Sequence, residues 1–150
     1  MTDDAASGAL ASRLGYLLKH VHLRLTEASA LALAPFGIDG RELAVLVVLA
    51  AEYPLSQLEA AGKLSVDRTT MVTLVDALEK KGLVERHRSS QDRRKNTVQL
   101  TPAGQDTLRK AEHAREEMER QFLAPLTPSD ANQLVRALQT LVTAPKTVGY

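Results

Sequence analysis

The sequence predicts a mainly α-helical fold carrying one small β-hairpin, an α+β arrangement in which helices dominate. Three observations predict it. Apolar residues recur at helical spacing through most of the 150 residues. The period drops to two only after Gly82, where Val84 alternates with Leu83 and Glu85, and Val98 and Leu100 alternate with Thr97 and Gln99. The stretch between these runs, roughly Ser89 to Asn96, is polar, rich in turn-forming residues and strongly cationic.

The elements follow in order. A long helix is expected from about Leu10 towards Leu33, with Leu10, Leu14, Leu17, Val21 and Leu25 as its stripe, ended by Pro35 and Gly37. At 1.5 Å per residue it would be roughly 35 Å long and would need a long partner surface. Asp39 followed by Glu42 makes a capping-box-like start to a second helix, whose Leu43, Val45, Leu46, Val47, Val48 and Leu49 are apolar nearly all round, which places it centrally. Tyr53-Pro54-Leu55 breaks the chain. Ser56-Gln57-Leu58-Glu59 is an S-x-x-E capping box opening a short helix to about Ala61, and Gly62-Lys63-Leu64 is expected to turn into the next.

Ser65 is expected to cap that next helix. Met71, Leu74, Val75 and Leu78 form its buried stripe, and Gly82, after Lys80 and Lys81, ends it. The opposite side carries Val66, Thr69, Thr73, Asp76 and Lys80, with Arg68 and Thr70 at its borders. A short helix, a glycine-containing turn and a second helix with a polar face is the helix-turn-helix pattern. Short hydroxyl side chains and an arginine near a helix N-terminus can approach base edges and phosphates closely.

Beyond the hairpin, Thr101-Pro102 restarts a helix with Leu108, Ala111, Met118 and Phe122 as a sparse stripe to about Leu123. Thr127-Pro128 begins the last helix, with Leu134, Val135, Leu138, Leu141 and Val142 on one face; the tail after Ala144 reads as irregular. The first and last helices carry more apolar surface than a lone subunit needs to hide, so dimerisation through them is expected, with a monomeric helical cap as the alternative.

Charge is segregated. From Arg86 to Lys95 five cations (Arg86, Arg88, Arg93, Arg94, Lys95) face one acid (Asp92), although the whole chain has a net charge of only +1. Cations on a protruding hairpin beside a polar helix face suit a lattice of phosphates. Aromatic residues are 3% with no Trp, which argues against stacking platforms for single strands or RNA. Without cysteine there is no disulfide or thiolate zinc site. The histidines show no metal spacing, since His20 and His22 point to different sides of a helix while His87 and His113 stand apart, so neither metal nor cofactor is expected. No phosphate loop, nucleophile elbow or H-E-x-x-H is present, so an enzyme is not expected. No apolar run approaches the ~20 residues of a membrane span, and the acidic start lacks a secretory pattern; a soluble cytoplasmic protein is expected.

Asp92-Arg93-Arg94-Lys95-Asn96-Thr97-Val98-Gln99-Leu100-Thr101, followed by Pro102-Ala103-Gly104, resembles the D-x-R…V-x-L-T-x-x-G wing signature of MarR-family transcriptional regulators. Leu78-Glu79-Lys80-Lys81-Gly82-Leu83-Val84-Glu85-Arg86 resembles that family's L-x-x-x-G-L-V-x-R helix-to-strand junction. The motif likeness covers about residues 54 to 104. It implies a winged helix-turn-helix homodimer on pseudo-palindromic promoter duplex DNA, with dimerisation helices at about 9–34 and 102–143 and a DNA-binding lobe at about 39–101. In that arrangement Arg68, Thr69, Thr70 and Thr73 would read bases and Ser65 would contact phosphate. Arg94 would insert into the minor groove, Asp92 would orient the wing through an ion pair, and Arg93 and Lys95 would lie on phosphates. Repression is the usual outcome in the family. The absence of cysteine excludes its peroxide-sensing branch, and an alternative is a winged helix that mediates only protein contacts. The family commonly binds a small aromatic or phenolic anion between its lobes. Arg13, Tyr16 and His20, at i, i+3 and i+7 beside the stripe of the first helix, are the candidates for that, against ordinary surface or interface residues.

Overall fold

The computed structural model describes residues 8–51, 54–88 and 96–146. Among these residues, from Leu14 on, the elements follow in the order α1 (Leu14–Leu33), a 3₁₀ turn (Ala34–Phe36), α2 (Gly40–Ala51), β1 (Leu55–Ser56), α3 (Gln57–Leu64), α4 (Arg68–Lys80), β2 (Val84–Arg88), β3 (Asn96–Leu100), α5 (Pro102–Phe122) and α6 (Pro128–Thr143). The expected class, helical with a β-hairpin, is the one observed.

The first helix starts later than its apolar stripe implied. Gly8–Leu10 are helical but a turn at Ala11 and Ser12 follows, and Arg13 is extended (φ −83°, ψ 129°) with no side-chain cap. Leu10 and Leu14 are both exposed, so no packing of the chain on itself holds that turn in register with the helix. At its other end Leu33 is buried and Gly37 takes the left-handed conformation (φ 68°) that stops the 3₁₀ turn.

The capping residues explain where the remaining helices begin. Asp39 and Glu42 form the reciprocal box, Glu42 N–H donating to Asp39 Oδ1 (2.9 Å) and Asp39 N–H to Glu42 Oε1 (3.2 Å). Ser56 Oγ accepts from Glu59 N–H at 3.1 Å, and Thr127 Oγ1 accepts from Asp130 N–H at 3.1 Å. The helix at Ser56 runs on to Leu64, with Gly62 inside it rather than in the turn.

Two helix ends share one device. At the end of α3, Ser65 N–H donates to Gly62 O (3.3 Å) and Val66 N–H to Ala61 O (3.1 Å). At the end of α4, Gly82 N–H donates to Glu79 O and Leu83 N–H to Leu78 O, both at 3.0 Å. Both are Schellman closures. The first puts Ser65, a residue with a Cβ, into the left-handed region at φ 53°. Ser65 is therefore a C-terminal cap, and the cap of α4 is Asp67, two residues later. Val66, expected on the outward face, instead packs against the core.

The sheet has three strands in the order β1-β3-β2, all antiparallel, and β1 is a strand the local pattern did not show. Leu55 pairs with Val98 and Ser56 with Thr97, while Val84 pairs with Leu100 and Arg88 with Asn96. Val84 and Val98 point into a core shared with Leu33, Val45, Leu46, Met71, Val75 and Leu78. As expected, α2 is central.

The junction of hairpin and α5 is tight. Thr101 Oγ1 accepts from Gly104 N–H (3.0 Å) and donates to Gly82 O (2.6 Å), so one hydroxyl caps α5 and ties it to the end of α4. Pro102 occupies the first turn, where its missing amide does no harm. Gly104 lies so close to Leu83 that an added Cβ would sit 2.0 Å from the Leu83 carbonyl oxygen. Further along, α5 carries ion pairs within one turn: Asp106 with Arg109 and Lys110, and Arg115 with Glu112 and Glu119. These support a helix whose apolar stripe is sparse. Hydrogen bonds to Glu112 and then Glu119 hold the Arg115 guanidinium above its ordinary pKa.

Two glycines should respond oppositely to alanine. Gly104→Ala forces backbone apart and should cost about 2 kcal/mol or more in denaturant unfolding, the scale of overpacking. Gly62→Ala lies inside α3 with nothing within 4 Å of the added methyl and should gain about 0.5–1 kcal/mol.

Candidate nucleic-acid interface

The exposed face of α4 is set at its N-terminus by Asp67, whose Oδ1 accepts from Thr70 N–H at 2.6 Å. That backbone hydrogen bond, with the Thr70 hydroxyl second, holds the Asp67 carboxyl below the usual carboxylate range, so the cap is ionised at neutral pH. Next to it Arg68, Thr69 and Thr73 are exposed and Thr70 is half-buried. Three of the four residues expected to read bases are thus exposed on α4, Thr70 is half-buried in its first turn, and Ser65 is exposed before the helix.

Their chemistry is not uniform. Thr73 Oγ1 donates to Thr69 O at 3.1 Å, which leaves its lone pairs as acceptors on an exposed side chain that also carries a methyl. That combination suits an exocyclic amine or a thymine methyl. Arg68 makes no hydrogen bond or ion pair among the described residues, so its guanidinium is available to a partner.

Other cations nearby are already engaged, which the charge count could not show. Arg86, on β2, is only 22% exposed; it pairs with Asp76 (2.5 Å) and Glu79 (2.8 Å) on α4 and donates to Gln57 Oε1 on α3 (3.1 Å). It is a clamp joining the hairpin to both helices of the helix-turn-helix. Its partners lie seven to 29 residues away, so nothing local in the sequence signalled it. Lys81 pairs with Glu42 of α2 at 2.6 Å. Arg88, at the end of β2, stays exposed. Asp92, Arg93, Arg94 and Lys95, expected to form that tip, lie outside the described residues.

The ligand candidates come together only in part. Tyr16 and His20 are in ring contact, centroids 4.1 Å apart and planes at 39°. Arg13 stands in the extended segment before α1, so it does not continue their helical face as the i, i+3, i+7 spacing assumed. A separate cleft of about 460 Å³ opens between the end of α2, β3 and α5, lined by Leu49, Ala50, Leu100, Gln105, Leu108 and Arg109. Among the described residues no group of three or more His, Asp or Glu converges as for a metal ion, and no helix is long and apolar enough to cross a membrane.

Known proteins share this arrangement. Residues 40–95, from the start of α2 to the hairpin, match the model of the MarR family. A transcriptional repressor of Mycobacterium tuberculosis, Rv2887, is 32% identical over 94% of this chain and 96% of its own. The solved structure of the transcriptional repressor CouR bound to a 23-mer DNA duplex is 33% identical, covers 91% of this chain and 96% of that one, and superposes with a TM-score of 0.86. CouR of Rhodococcus jostii bound to p-coumaroyl-CoA is 28% identical over 93% of this chain and 98% of that one, with a TM-score of 0.78. Sequence identity at this level across nearly the whole of both chains, on a shared winged-helix fold, shows that the protein belongs to the MarR family of transcriptional regulators.

Proposed function

We propose that the protein is a homodimeric repressor that binds a pseudo-palindromic promoter duplex and is released by a small ligand. One observation carries the reading: α4 presents Arg68, Thr69 and Thr73 unobstructed, while the neighbouring Arg86 and Lys81 are used internally to hold that helix in place. A helix so fixed fits a major groove, where Arg68, Thr69, Thr70 and Thr73 meet base edges and Ser65 meets a phosphate. The tip residues Arg93, Arg94 and Lys95 supply the phosphate and minor-groove contacts, Arg94 being the inserted side chain and Asp92 its orienting partner. The likeness to CouR on its duplex supports the same docking.

Dimerisation is supported by the apolar faces. Leu134, Val135, Leu138, Leu141 and Val142 of α6 are all exposed, Leu141 at 63% and Val142 at 83%, as are Leu14, Leu17, Leu18 and Val21 of α1. A second copy covering both helices separates residues 9–34 and 102–143 as a dimerising region from the lobe at 39–101. The pairing sets two α4 helices about one turn of duplex apart, about 34 Å. Ligand release is supported by the CouR complex with p-coumaroyl-CoA and by the cleft beside Arg109, where an aromatic anion would meet an apolar wall and compete with Asp106 for one guanidinium. Tyr16 and His20 are close enough to each other to act together on such a ligand, and Arg13 precedes them on an extended segment.

Light scattering of the purified protein should give twice 16.3 kDa; a mass of one chain would remove the paired half-sites. Arg94→Ala should weaken binding to the duplex upstream of the protein's own gene and reduce the slope of log affinity against log salt by about one. An unchanged slope would take the wing off the DNA. For Thr73→Ala, selection from a random duplex pool should return a site altered at one position per half-site, a discrimination of about 1–3 kcal/mol. Recovery of the same sites would show that Thr73 reads no base.

A further inference from the structure

Glu42 is the only buried charged side chain among the described residues, and its carboxylate is divided between two tasks. Oε1 accepts the Asp39 N–H and closes the capping box at the start of α2. Oε2 accepts from Lys81 Nζ at 2.6 Å, across 39 residues of sequence. Lys81 is the cap residue of α4, its own N–H bonded to Ala77 O. The ion pair therefore joins the first turn of the central helix to the last turn of the helix that carries Arg68, Thr69 and Thr73. Arg86 grips α4 from β2 through Asp76 and Glu79, and Lys81 is held from α2. A helix held by ties from two different elements has its tilt fixed as well as its depth.

Tilt matters because of length. The 13 residues of α4 span about 20 Å, so a rotation of about 10° shifts one end by about 3 Å relative to the other. Base-edge hydrogen bonds close within a few tenths of an ångström, whereas contacts to a phosphate lattice tolerate such a shift.

We propose that Glu42 is a positioning residue for sequence discrimination: through Lys81 it fixes the angle at which α4 presents its reading face, without touching DNA itself. The proposal rests on the DNA-binding reading above. It concerns the ratio of specific to non-specific binding, which a purely stabilising ion pair would not change.

The test uses the full-length protein, a duplex selected by the wild type from a random pool, and a scrambled duplex of the same length. Affinities are measured for the wild type, Glu42→Gln, Lys81→Met, the double variant and Lys81→Arg, with thermal unfolding recorded alongside. Glu42→Gln keeps an acceptor for the Asp39 amide and removes only the charge that Lys81 meets. Glu42→Gln and Lys81→Met should each weaken the selected duplex about tenfold while leaving the scrambled one nearly unchanged. The double variant should be no worse than either single one, the mark of two groups acting as a unit. Lys81→Arg should recover most of the loss.

Equal losses on both duplexes, additive losses, or no loss would overturn the proposal. So would tighter binding of both duplexes by Glu42→Gln with a steeper salt slope, which would make Lys81 a phosphate contact held in reserve. If Glu42→Gln fails to fold, Lys81→Met, at a side chain 38% exposed, carries the comparison. A wild type that selects no duplex at all would overturn the DNA-binding reading and this inference with it.

Discussion

The close approach of residues 101–104 to residues 82–83 is the constraint on which the rest of the structure depends. Thr101 Oγ1 bonds the carbonyl of Gly82, Thr101 N–H donates to Leu83 O at 3.1 Å, and the bare Cα of Gly104 lets α5 lie directly on that same carbonyl. Here the end of α4, the root of the hairpin and the start of α5 meet within a few residues. Because α5 runs on unbroken to Phe122, a displacement of its far end is delivered to α4 and the hairpin root together. The T-x-x-G of the wing signature thus has a mechanical content. The threonine caps one helix while gripping the end of another, and the glycine removes the side chain that would hold them apart.

Electrostatics around α4 follow a division of labour that a local balance of +4 conceals. Arg86 and Lys81 spend their charge inside the subunit, on Asp76, Glu79 and Glu42. Among the described residues, what remains outward is Arg68 on the helix, Lys80 near its end and Arg88 on the strand. Exposed pairs of this kind contribute little to stability, about 0–1 kcal/mol, so their value lies in orientation. The pair to Glu42 differs because one partner is buried: removing Lys81 would leave a carboxylate out of water with only the Asp39 amide to bond it.

Much of this was legible locally, and the residues show why. The caps at Asp39, Ser56, Thr101 and Thr127 act through neighbours three residues away, so a short window contains both partners. Gly82 and the change of period after it likewise marked the end of α4 and the start of β2. The cap of α4 was misplaced because Ser65 and Asp67 are both good capping residues. The choice fell to the Schellman closure of α3, which needs Ser65 in the left-handed region and leaves Asp67 extended (φ −73°, ψ 163°) to receive the Thr70 amide. Strand β1 is two residues whose partner lies 43 positions on, as Leu55 with Val98, and no local alternation could reveal it. The ties of Arg86 and the pair between Glu42 and Lys81 were hidden for the same reason, since a tie between distant segments exists only once the chain has folded. Arg13 differs in another way: its i, i+3, i+7 spacing with Tyr16 and His20 assumes a helix through residue 13, whereas α1 begins at Leu14.

The outer helices complete the mechanical picture. Within one subunit α6 meets little else, yet it keeps a helical face of five exposed apolar residues. Burial of such side chains is worth about 1.5–3 kcal/mol each when complete, more than a capped and largely polar helix of 16 residues can forgo without a partner. On the proposed pairing, the α1 part of the surface that a second copy would cover packs on α5, the helix that begins at the Gly104 junction with the hairpin root and α4. On the proposed reading, a ligand that shifts α5 against α2, where Leu108 and Arg109 line the cleft with Leu49, would change the distance between the α4 helices of a dimer without altering either helix itself.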